Sequence, residues 1–221
     1  MMSVHDELVE LLNRVVVAFS QSDIRHKAMT RGYRLAYSLI TGACRPHAPL
    51  IVGFNWGAQA GEQYDPQSTI KETRWNKSDL GSFARILPYM ARYLPDLPME
   101  RISQTNYCFF RSEKEEQISA RDLELCSSIF EQLLRVMKPT LVLGFSSRLR
   151  DHLLSSHQVT QPQITTVEQM KGKGIVAYTA VSGVLAGGAT VAFLPHPNCP
   201  IRKETREKLW GFCADQMQAH R

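Results

Sequence analysis

The sequence has few cysteines, and none of them lies in a spacing that is typical of metal binding. The five cysteines occur at positions 44, 108, 126, 199 and 213. No two form a C-x-x-C pair, and no cluster of cysteine and histidine matches a zinc or iron–sulfur pattern. An odd number of scattered cysteines argues against a disulfide framework. We therefore expect reduced thiols in a cytosolic protein that uses no metal and no cofactor.

Long apolar runs and nucleotide-binding motifs are also missing. No apolar run approaches the ~20 residues of a membrane helix, and the N-terminal MMSVHDELVELL lacks the basic and apolar regions of a signal peptide. The sequence contains neither a G-x-x-x-x-G-K-[ST] loop nor a G-x-G-x-x-G turn. These absences argue against a membrane protein, a secreted protein and the common nucleotide-binding enzymes. They predict a cytoplasmic location.

The chain does have enough apolar residues for a hydrophobic core. It contains 221 residues, of which 43% are hydrophobic, and this size fits one large domain better than two. We divide that single domain into N-terminal helices over residues 1–48 and a core over residues 49–221. The formal net charge is +5, which permits binding to a polyanion but does not require it.

Short apolar segments alternate with helical patterns along the core. This alternation predicts an α/β fold with three α/β/α layers around a central, mainly parallel sheet of four strands. The four predicted strands are Leu50–Phe54, Ile102–Phe109, Thr140–Gly144 and Ala189–Leu194.

The helical segments are predicted from apolar spacing and from capping residues. Ser3 followed by Asp6 is typical of a helix cap. Apolar residues at helical spacing predict further helices. Those helices are expected at Ile24–Ile40, Asp79–Leu94, Ala120–Met137, Arg148–Leu154 and Arg202–Gln218.

Two polar segments interrupt this pattern. Residues 57–78 and 157–174 are rich in polar residues and glycine, and we predict both as irregular connections. Long connections of this kind usually carry function or move. A further strand is predicted at Ile175–Val181, as an addition to the four core strands.

Polar side chains stand at or near the ends of three predicted strands. Asn55 follows the first strand, Asn106 lies near the end of the second, and His196 follows the last. Ligands of open α/β sheets bind beyond the carboxyl ends of the strands. The sequence therefore predicts that Asn55, Asn106 and His196 converge at one edge of the sheet.

The motifs at these positions resemble those of the uracil-DNA glycosylase superfamily. They are G-F-N-W-G at residues 53–57, T-N at 105–106 and H-P-N at 196–198, and K-P-T-L-V-L-G at 138–144 is similar to the third strand of that family. The family's first motif reads roughly G-x-[DN]-P-[YG], and its last reads H-P-S. The ordered set covers residues 50–203. The resemblance implies a uracil-DNA-glycosylase-like fold and an enzyme that hydrolyses the bond between a base and its sugar in DNA.

The sequence also departs from the family pattern. Trp56 stands where the family has proline, Asn198 stands where it has serine, and Cys199 adds a residue to the last loop. The four cysteines that hold an iron–sulfur cluster in some branches have no counterpart. These departures leave the substrate open.

The resemblance implies a role for each polar residue. A glycosylase flips the target nucleotide out of the duplex. Asn55 is expected to hold the attacking water, and His196 to stabilise the negative charge on the departing base. Asn106 is expected to read the Watson–Crick edge of that base. No lysine lies at a motif position that would form a Schiff base with the sugar, so we expect a monofunctional enzyme. We also expect the protein to act as a monomer.

Gly57 is the position that bears on the substrate. The strict uracil enzymes have tyrosine here, which blocks substituents on carbon 5 of the base, whereas the mismatch-specific branches have glycine. Gly57 leaves room for such a substituent. The sequence thus favours a 5-substituted or otherwise modified pyrimidine, including hydroxymethylated or glucosylated phage cytosine, and a defence role would follow. Uracil remains an alternative, with repair of ordinary deaminated DNA as the role.

Further residues are candidates for contacts with the base and with DNA. An aromatic side chain is expected to stack on the base, and the candidates are Trp56, Tyr64, Trp75 and Tyr107. The loop at residues 199–202 is expected to enter the minor groove, with Ile201 or Arg202 filling the space left by the base. Asn198 beside it is a further candidate for a contact with DNA. The remaining candidates for phosphate contacts are Arg202, Lys203, Arg206, Ser146 and Ser147.

Two other classes of function fit the same residues. The chain could bind an unusual base in double- or single-stranded DNA without cleaving it, since an asparagine at position 55 is no general base. It could also be an unrelated α/β enzyme that acts on a free nucleotide or another small molecule. Binding to DNA without an abasic product would favour the first alternative, and no affinity for DNA would favour the second.

Overall fold

A computed structural model of the chain describes residues 3–32, 35–58, 70–72, 83–97 and 99–219. The chain divides into two compact units. The first unit contains Met1–Arg74 and Arg101–Pro139, and the second contains Trp75–Glu100 and Thr140–Arg221. The prediction of a single domain remains a prediction.

The described residues contain six α-helices and eight β-strands. The helices are α1 (Val4–Ser20), α2 (Asp23–Thr30), α3 (Leu87–Tyr93), α4 (Ala120–Met137), α5 (Ser147–Ser155) and α6 (Lys203–Ala219). The strands are β1 (Ile40–Gly42), β2 (Leu50–Gly57), β3 (Ile70–Glu72), β4 (Ser103–Ser112), β5 (Leu141–Gly144), β6 (Val159–Lys171), β7 (Gly174–Leu185) and β8 (Thr190–Phe193). None of these helices is long and apolar enough to cross a membrane.

The strands of the first unit pair in the order β3, β1, β4, β2. β1 runs parallel to β3 and antiparallel to β4, and β4 runs parallel to β2. Helix α4 packs on β4 through the buried rings of Tyr107 and Phe130, which meet edge to face at 5.1 Å. Phe19 of α1 contacts Phe110 of β4 with tilted rings, at 5.4 Å between ring centroids.

The strands of the second unit pair in the order β5, β8, β7, β6. β5 runs parallel to β8, whereas β8 with β7 and β7 with β6 run antiparallel. The core of this unit lies under α6, where Trp210 is 1% exposed. The Trp210 ring stacks on Tyr89 at 5.9 Å and also approaches Phe145 at 6.3 Å.

The α/β class that the sequence predicted is confirmed, but the central, mainly parallel sheet of four strands is not. Antiparallel pairing joins β1 with β4, β7 with β8 and β6 with β7. The extra antiparallel strands come from segments that the apolar pattern did not count as core. A short strand such as β1 carries too few residues to show an alternating pattern.

The helix boundaries agree with the sequence where capping residues mark them. Ser3 and Asp6 form a capping box at α1, because the Ser3 hydroxyl accepts from the Asp6 N–H and the Asp6 carboxylate accepts from the Ser3 N–H. Ser119 and Asp122 form the same motif at α4. The predicted bounds of α4 are those observed. A capping box satisfies two free backbone donors at a helix start, so its signal is local and readable.

The predicted helix over Ile24–Ile40 is wrong beyond its first two turns. Helix α2 ends at Thr30, Tyr37 forms an antiparallel bridge with Phe110, and Ile40 begins β1. The apolar residues that matched a helical period are instead the buried residues of an extended segment against β4. Pairing with β4 overrides the local helical pattern.

The polar segment 157–174 is also not an irregular loop. Residues 159–171 form β6, which pairs with β7 to make a long hairpin. Most of this strand is exposed, so it has no apolar alternation to reveal it. In the predicted helix Asp79–Leu94, residues 79–82 lie outside the described part, 83–86 form a 3-10 turn, and α3 follows with Pro88 in its first turn.

Candidate functional site

Asn55 and Asn106 lie on neighbouring parallel strands of the first unit. Asn55 is inside β2 beside Cys108 of β4, and Asn106 lies beside Gly53. Asn55 was predicted to follow its strand and Asn106 to lie near the end of its strand. Both instead lie inside their strands, because β2 continues to Gly57 and β4 continues to Ser112. The pairing of β2 with β4 shifts register just after Asn55. Such an irregularity re-aims side chains near a strand end.

The side-chain amide of Asn55 has a fixed orientation. Its Nδ2 donates to the Trp56 carbonyl oxygen at 2.9 Å and to Ser112 Oγ at 2.7 Å. Ser112 Oγ donates its own hydrogen to the Lys114 carbonyl at 2.8 Å, so it accepts from Asn55. Both partners of the amide nitrogen are therefore acceptors. Among the described residues no group donates to Asn55 Oδ1, and this oxygen of a half-buried residue can accept a hydrogen bond from water.

The side chain of Asn106 is nearly buried and has no hydrogen-bond partner among the described residues. The residue is 3% exposed, and no described residue hydrogen-bonds to its side-chain amide. No side-chain nitrogen or oxygen in the described part of the chain is both fully buried and unpaired. A buried amide normally finds a hydrogen-bond partner. The amide of Asn106 has none among the described residues, which makes it a candidate for a contact with a ligand.

Trp56 and Gly57 follow Asn55 at the end of β2. Trp56 is half-buried, and its Nε1 donates to the Ser38 carbonyl at 2.6 Å. The Arg111 guanidinium lies over the indole ring at 5.9 Å and donates to the Gly57 carbonyl at 2.8 Å. At most one face of the Trp56 ring is thus left for a base.

Gly57 is exposed and has space around it. A Cβ built there would meet no atom of the described residues within 4 Å. Neither a side chain at position 57 nor a described neighbour therefore blocks the space next to this position.

Tyr107 is a correction to the predicted base-stacking residues. Its side chain is fully buried and packs on Phe130, and burial raises the pKa of its hydroxyl. A ring in that position belongs to the core and offers no face to a base. The other candidates, Tyr64 and Trp75, lie outside the described residues, so their role stays a prediction.

His196 lies in the second unit, three residues after β8 ends at Phe193. The ring is half-buried, and its Nδ1 accepts from the Asn198 backbone N–H at 3.2 Å. Burial lowers the pKa of His196, and the positive charge of Arg206 lowers it further. Both effects favour the neutral ring. Because Nδ1 accepts, the hydrogen of that neutral ring sits on Nε2, which is a donor.

The loop after His196 is held by side chains from two other elements. Arg206 of α6 donates to the carbonyls of Pro197 at 3.3 Å and Cys199 at 2.9 Å. Gln169 of β6 donates to the Pro200 carbonyl at 3.3 Å and accepts from the Arg202 N–H at 2.9 Å.

Arg206 is thus a positioning residue, because its Nη2 donates to both loop carbonyls. Its predicted contact with DNA phosphate stays a prediction. Arg206 also supplies the charge that acts on His196.

The other predicted DNA contacts differ in exposure. Asn198, Arg202 and Lys203 are exposed, and Ile201 is half-buried. They lie on or next to the loop that Gln169 and Arg206 hold.

Ser146 is mainly a helix cap. It is 5% exposed, and its hydroxyl accepts from the Leu149 N–H at the start of α5. Ser147 is exposed. The phosphate role of these two serines stays a prediction, and the cap explains why Ser146 is there.

Ser112, Gln169 and Arg206 support the candidate residues in ways the sequence did not indicate. Ser112 is 57 positions from Asn55, and Gln169 is 33 positions from Arg202. Nothing local marks such pairs. The one available signal was the Gly172-Lys173 turn between β6 and β7, since a glycine at the first turn position is typical of a two-residue hairpin.

The described residues contain no group of three or more histidine, cysteine, aspartate or glutamate side chains placed to hold a metal ion. The three candidate residues also fall into different units. Asn55 and Asn106 belong to the first, and His196 belongs to the second. Their convergence on one substrate stays a prediction.

No protein-family model matches this chain, and no curated protein sequence matches it significantly.

Proposed function

We propose that this protein is a monofunctional DNA glycosylase with a uracil-DNA-glycosylase-like fold. The observation that carries the proposal is the fixed amide of Asn55. Two acceptors hold its nitrogen, so its oxygen is presented for a water molecule. This is the group that the resemblance requires at the first motif. An amide that merely capped a turn would not need both of its donor hydrogens held.

The proposed reaction replaces the base–sugar bond with a bond from water to the sugar carbon. The electron pair of the broken bond leaves with the base as an anion. The attacking water loses its proton to solvent, and the released base anion takes up a proton from solvent. Asn55 Oδ1 orients the water. A neutral His196 whose Nε2 carries the hydrogen donates to an oxygen of the departing base and stabilises its negative charge. Held in advance by Asn198, that ring needs no reorganisation at the moment of reaction.

The proposed substrate is a non-standard pyrimidine. The amide of Asn106, which makes no hydrogen bond to a described residue, can present one donor and one acceptor to the edge of a flipped base. The open space at Gly57 fits a substituent on carbon 5 of the ring. A 5-substituted base, including phage-type hydroxymethylated or glucosylated cytosine, fits both features, and uracil fits the first.

One cleavage assay tests the proposal. Purified protein would be incubated with uracil-containing duplex, ordinary duplex and phage DNA that carries modified cytosines. Released bases would be identified by mass spectrometry, and abasic sites by alkaline strand breakage. Release from one substrate by the unchanged protein, with a large loss in Asn55→Ala, is the expected result. A Ser182→Ala variant, which removes a buried hydroxyl that donates to the Val191 carbonyl, controls for a general loss of stability.

A second candidate is a module that binds an unusual base without cleaving it. The asparagine at position 55 favours it, because an amide cannot remove the proton of the water. Salt-sensitive binding to one of the three DNAs with no released base would support this module over the enzyme.

A further inference from the structure

The distal part of the hairpin formed by β6 and β7 is a ribbon of two strands. The pairing of β7 with β8 runs from Val181 to Val184. The pairing of β7 with β6 continues past it, to Lys171 and Gly174. Residues 165–180 therefore form a two-stranded ribbon that ends in the turn at residues 172–173.

One face of this ribbon is tied to the loop at residues 197–202. Gln169 and Tyr178 lie on that face, and both are buried. Each donates to the Pro200 carbonyl, Gln169 at 3.3 Å and Tyr178 at 3.4 Å. Gln169 also accepts from the Arg202 N–H. The ribbon and the loop thus form one connected surface within the second unit.

The opposite face carries exposed apolar side chains. Met170 and Ile175 are paired across the two strands, and they are 50% and 64% exposed. Ile164, further along β6, is 59% exposed. A cluster of exposed apolar side chains is typical of an interaction surface.

The charge around this ribbon indicates the kind of partner. Lys171 and Lys173 are exposed at the turn, and Arg202 and Lys203 are exposed on the connected loop and helix start. The acidic residues of the same surface are Glu168 and Glu204. Positive groups lie at the tip and on the loop, and the face of the ribbon opposite the loop is apolar at Met170 and Ile175. This combination fits a polyanion whose groove also offers apolar contacts. Duplex DNA has both properties, because thymine methyl groups are exposed in its major groove.

The geometry points to a DNA-contacting arm, and we propose that residues 165–180 have this role. Lys171 and Lys173 bind backbone phosphates, while Met170 and Ile175 lie against the groove, whose major form admits a two-stranded ribbon. This proposal rests on the proposed function only in taking DNA as the substrate. It adds a contact outside the motifs.

A second copy of the chain is a poorer partner for the same strand. β6 is the last strand of its sheet order, so its outer edge could in principle extend a sheet. Gln161 has a positive φ of 51°, Pro162 has no N–H, and the register shifts between Thr160 and Gln163. A bulge and a proline interrupt the ladder that strand addition needs.

The test compares two pairs of substitutions in DNA binding. Lys171→Ala/Lys173→Ala removes the two charges of the tip. Lys27→Ala/Arg31→Ala removes two exposed charges at the end of α2 and gives the same net charge. Affinity for a fluorescent duplex would be measured by anisotropy from low to high salt. Each lost phosphate contact lowers the slope of log affinity against log salt by about 1. We expect the slope to be lower by about 2 in the tip variant than in the unchanged protein. The control variant should have the same slope as the unchanged protein.

The binding readout separates the arm from the proposed enzyme. If no base is released but the slope falls in the tip variant alone, the glycosylase fails and the arm stands. Equal slopes in all three proteins, or no DNA binding by the unchanged chain, would overturn the arm.

Two further measurements address other partners. Binding to anionic vesicles in preference to DNA would overturn the arm, and so would a dimer in sedimentation that Met170→Ser/Ile175→Ser dissociates. Thermal unfolding of each variant checks that these exposed substitutions leave the fold intact, as surface changes usually do.

Discussion

At the scale of single residues, a hydroxyl decides what the Asn55 amide can do. The Asn55 amide could also face Ser112 with its oxygen if the Ser112 hydroxyl were able to donate to that oxygen. The Ser112 hydrogen is held by the Lys114 carbonyl instead, so Ser112 can only accept from Asn55 at this point. The amide oxygen is then the group left for a ligand. Preorganised groups of this kind act without reorganisation during the reaction.

Replacing Ser112 by alanine should slow base release, while it lowers stability about as much as the loss of another buried hydroxyl does. The variant leaves one Asn55 hydrogen unpaired, and a hydrogen bond of this kind contributes about 0.5–1.5 kcal/mol. We expect a loss of up to roughly tenfold in kcat, since each 1.36 kcal/mol changes a rate about tenfold. Single-turnover kinetics would measure it.

Ser182→Ala is the control, because Ser182 is also buried and donates to a backbone carbonyl, that of Val191. It should lower stability similarly and leave turnover unchanged. Equal turnover in the Ser112 and Ser182 variants would contradict the orienting role.

The lowered pKa of His196 leads to a second prediction at this scale. The pKa of His196 in the folded protein lies below its ordinary value of 6.5, because of burial and then the charge of Arg206. Above pH 6.5 the ring is neutral in both the folded and the unfolded chain. As pH falls below 6.5, the unfolded chain binds the proton first. The free energy of unfolding should therefore fall until the pH reaches the lower, folded pKa.

Denaturant unfolding between pH 8 and pH 5 measures this effect. The loss of stability on acidification should be smaller in His196→Gln than in the unchanged protein. His26→Gln, at an exposed position, controls for the removal of one imidazole. A stability that rises on acidification only when His196 is present would reverse the predicted sign.

At the scale of elements, a glycine in β5 leaves room for an aromatic ring of β8. Gly144 pairs with Phe193, and a Cβ at Gly144 would approach the Phe193 ring carbons at 2.5 and 2.7 Å. Phe193 is 2% exposed and has little room to move. His196 follows the same strand by three residues. The packing of β5 on β8 is therefore part of what positions the loop.

Gly144→Ala should destabilise the second unit. Overfilling a packed core costs about 1–3 kcal/mol. Gly187→Ala is the matched control, since a Cβ there meets no described atom within 4 Å. Thermal and denaturant unfolding would compare them, and equal stability of the two variants would contradict the close contact.

The elements also differ in how well the sequence predicts them. Helices α1 and α4 carry capping boxes and an apolar stripe, and both were predicted. Strand β6 was missed, because most of its residues are exposed and show no apolar alternation. Only its pairing with β7 identifies it as a strand. Pairing between strands depends on residues far apart in the chain, so a local pattern cannot show it.

At the scale of the whole molecule, the proposed chemistry predicts no covalent intermediate. No lysine lies at a motif position that would form a Schiff base with the sugar, and water is the proposed nucleophile. Borohydride treatment during base release should therefore trap no adduct between protein and DNA, whereas a lyase-active enzyme on the same DNA would give one. A trapped adduct that mass spectrometry maps to a lysine of this chain would mean a bifunctional enzyme.

Net charge alone says little at this scale. The excess of +5 is compatible with DNA, but it does not say where the charge lies. The hairpin tip and the loop at residues 197–202 place basic residues on one connected surface of the second unit. Because the position of these basic residues is known, their contact with DNA can be tested by substitution, whereas the net charge alone cannot be tested in this way.

The sequence by itself determined the α/β class, the capped helices and the order of the motifs at positions 55, 106 and 196. Caps, apolar spacing and strand-ending residues are local, so they can be read along the chain. Only the tertiary structure decided that Ser112 orients Asn55, that Tyr107 is a core residue, and that Arg206 holds a loop. These facts depend on which groups meet after the chain folds, and residues far apart in sequence carry no local sign of such contacts.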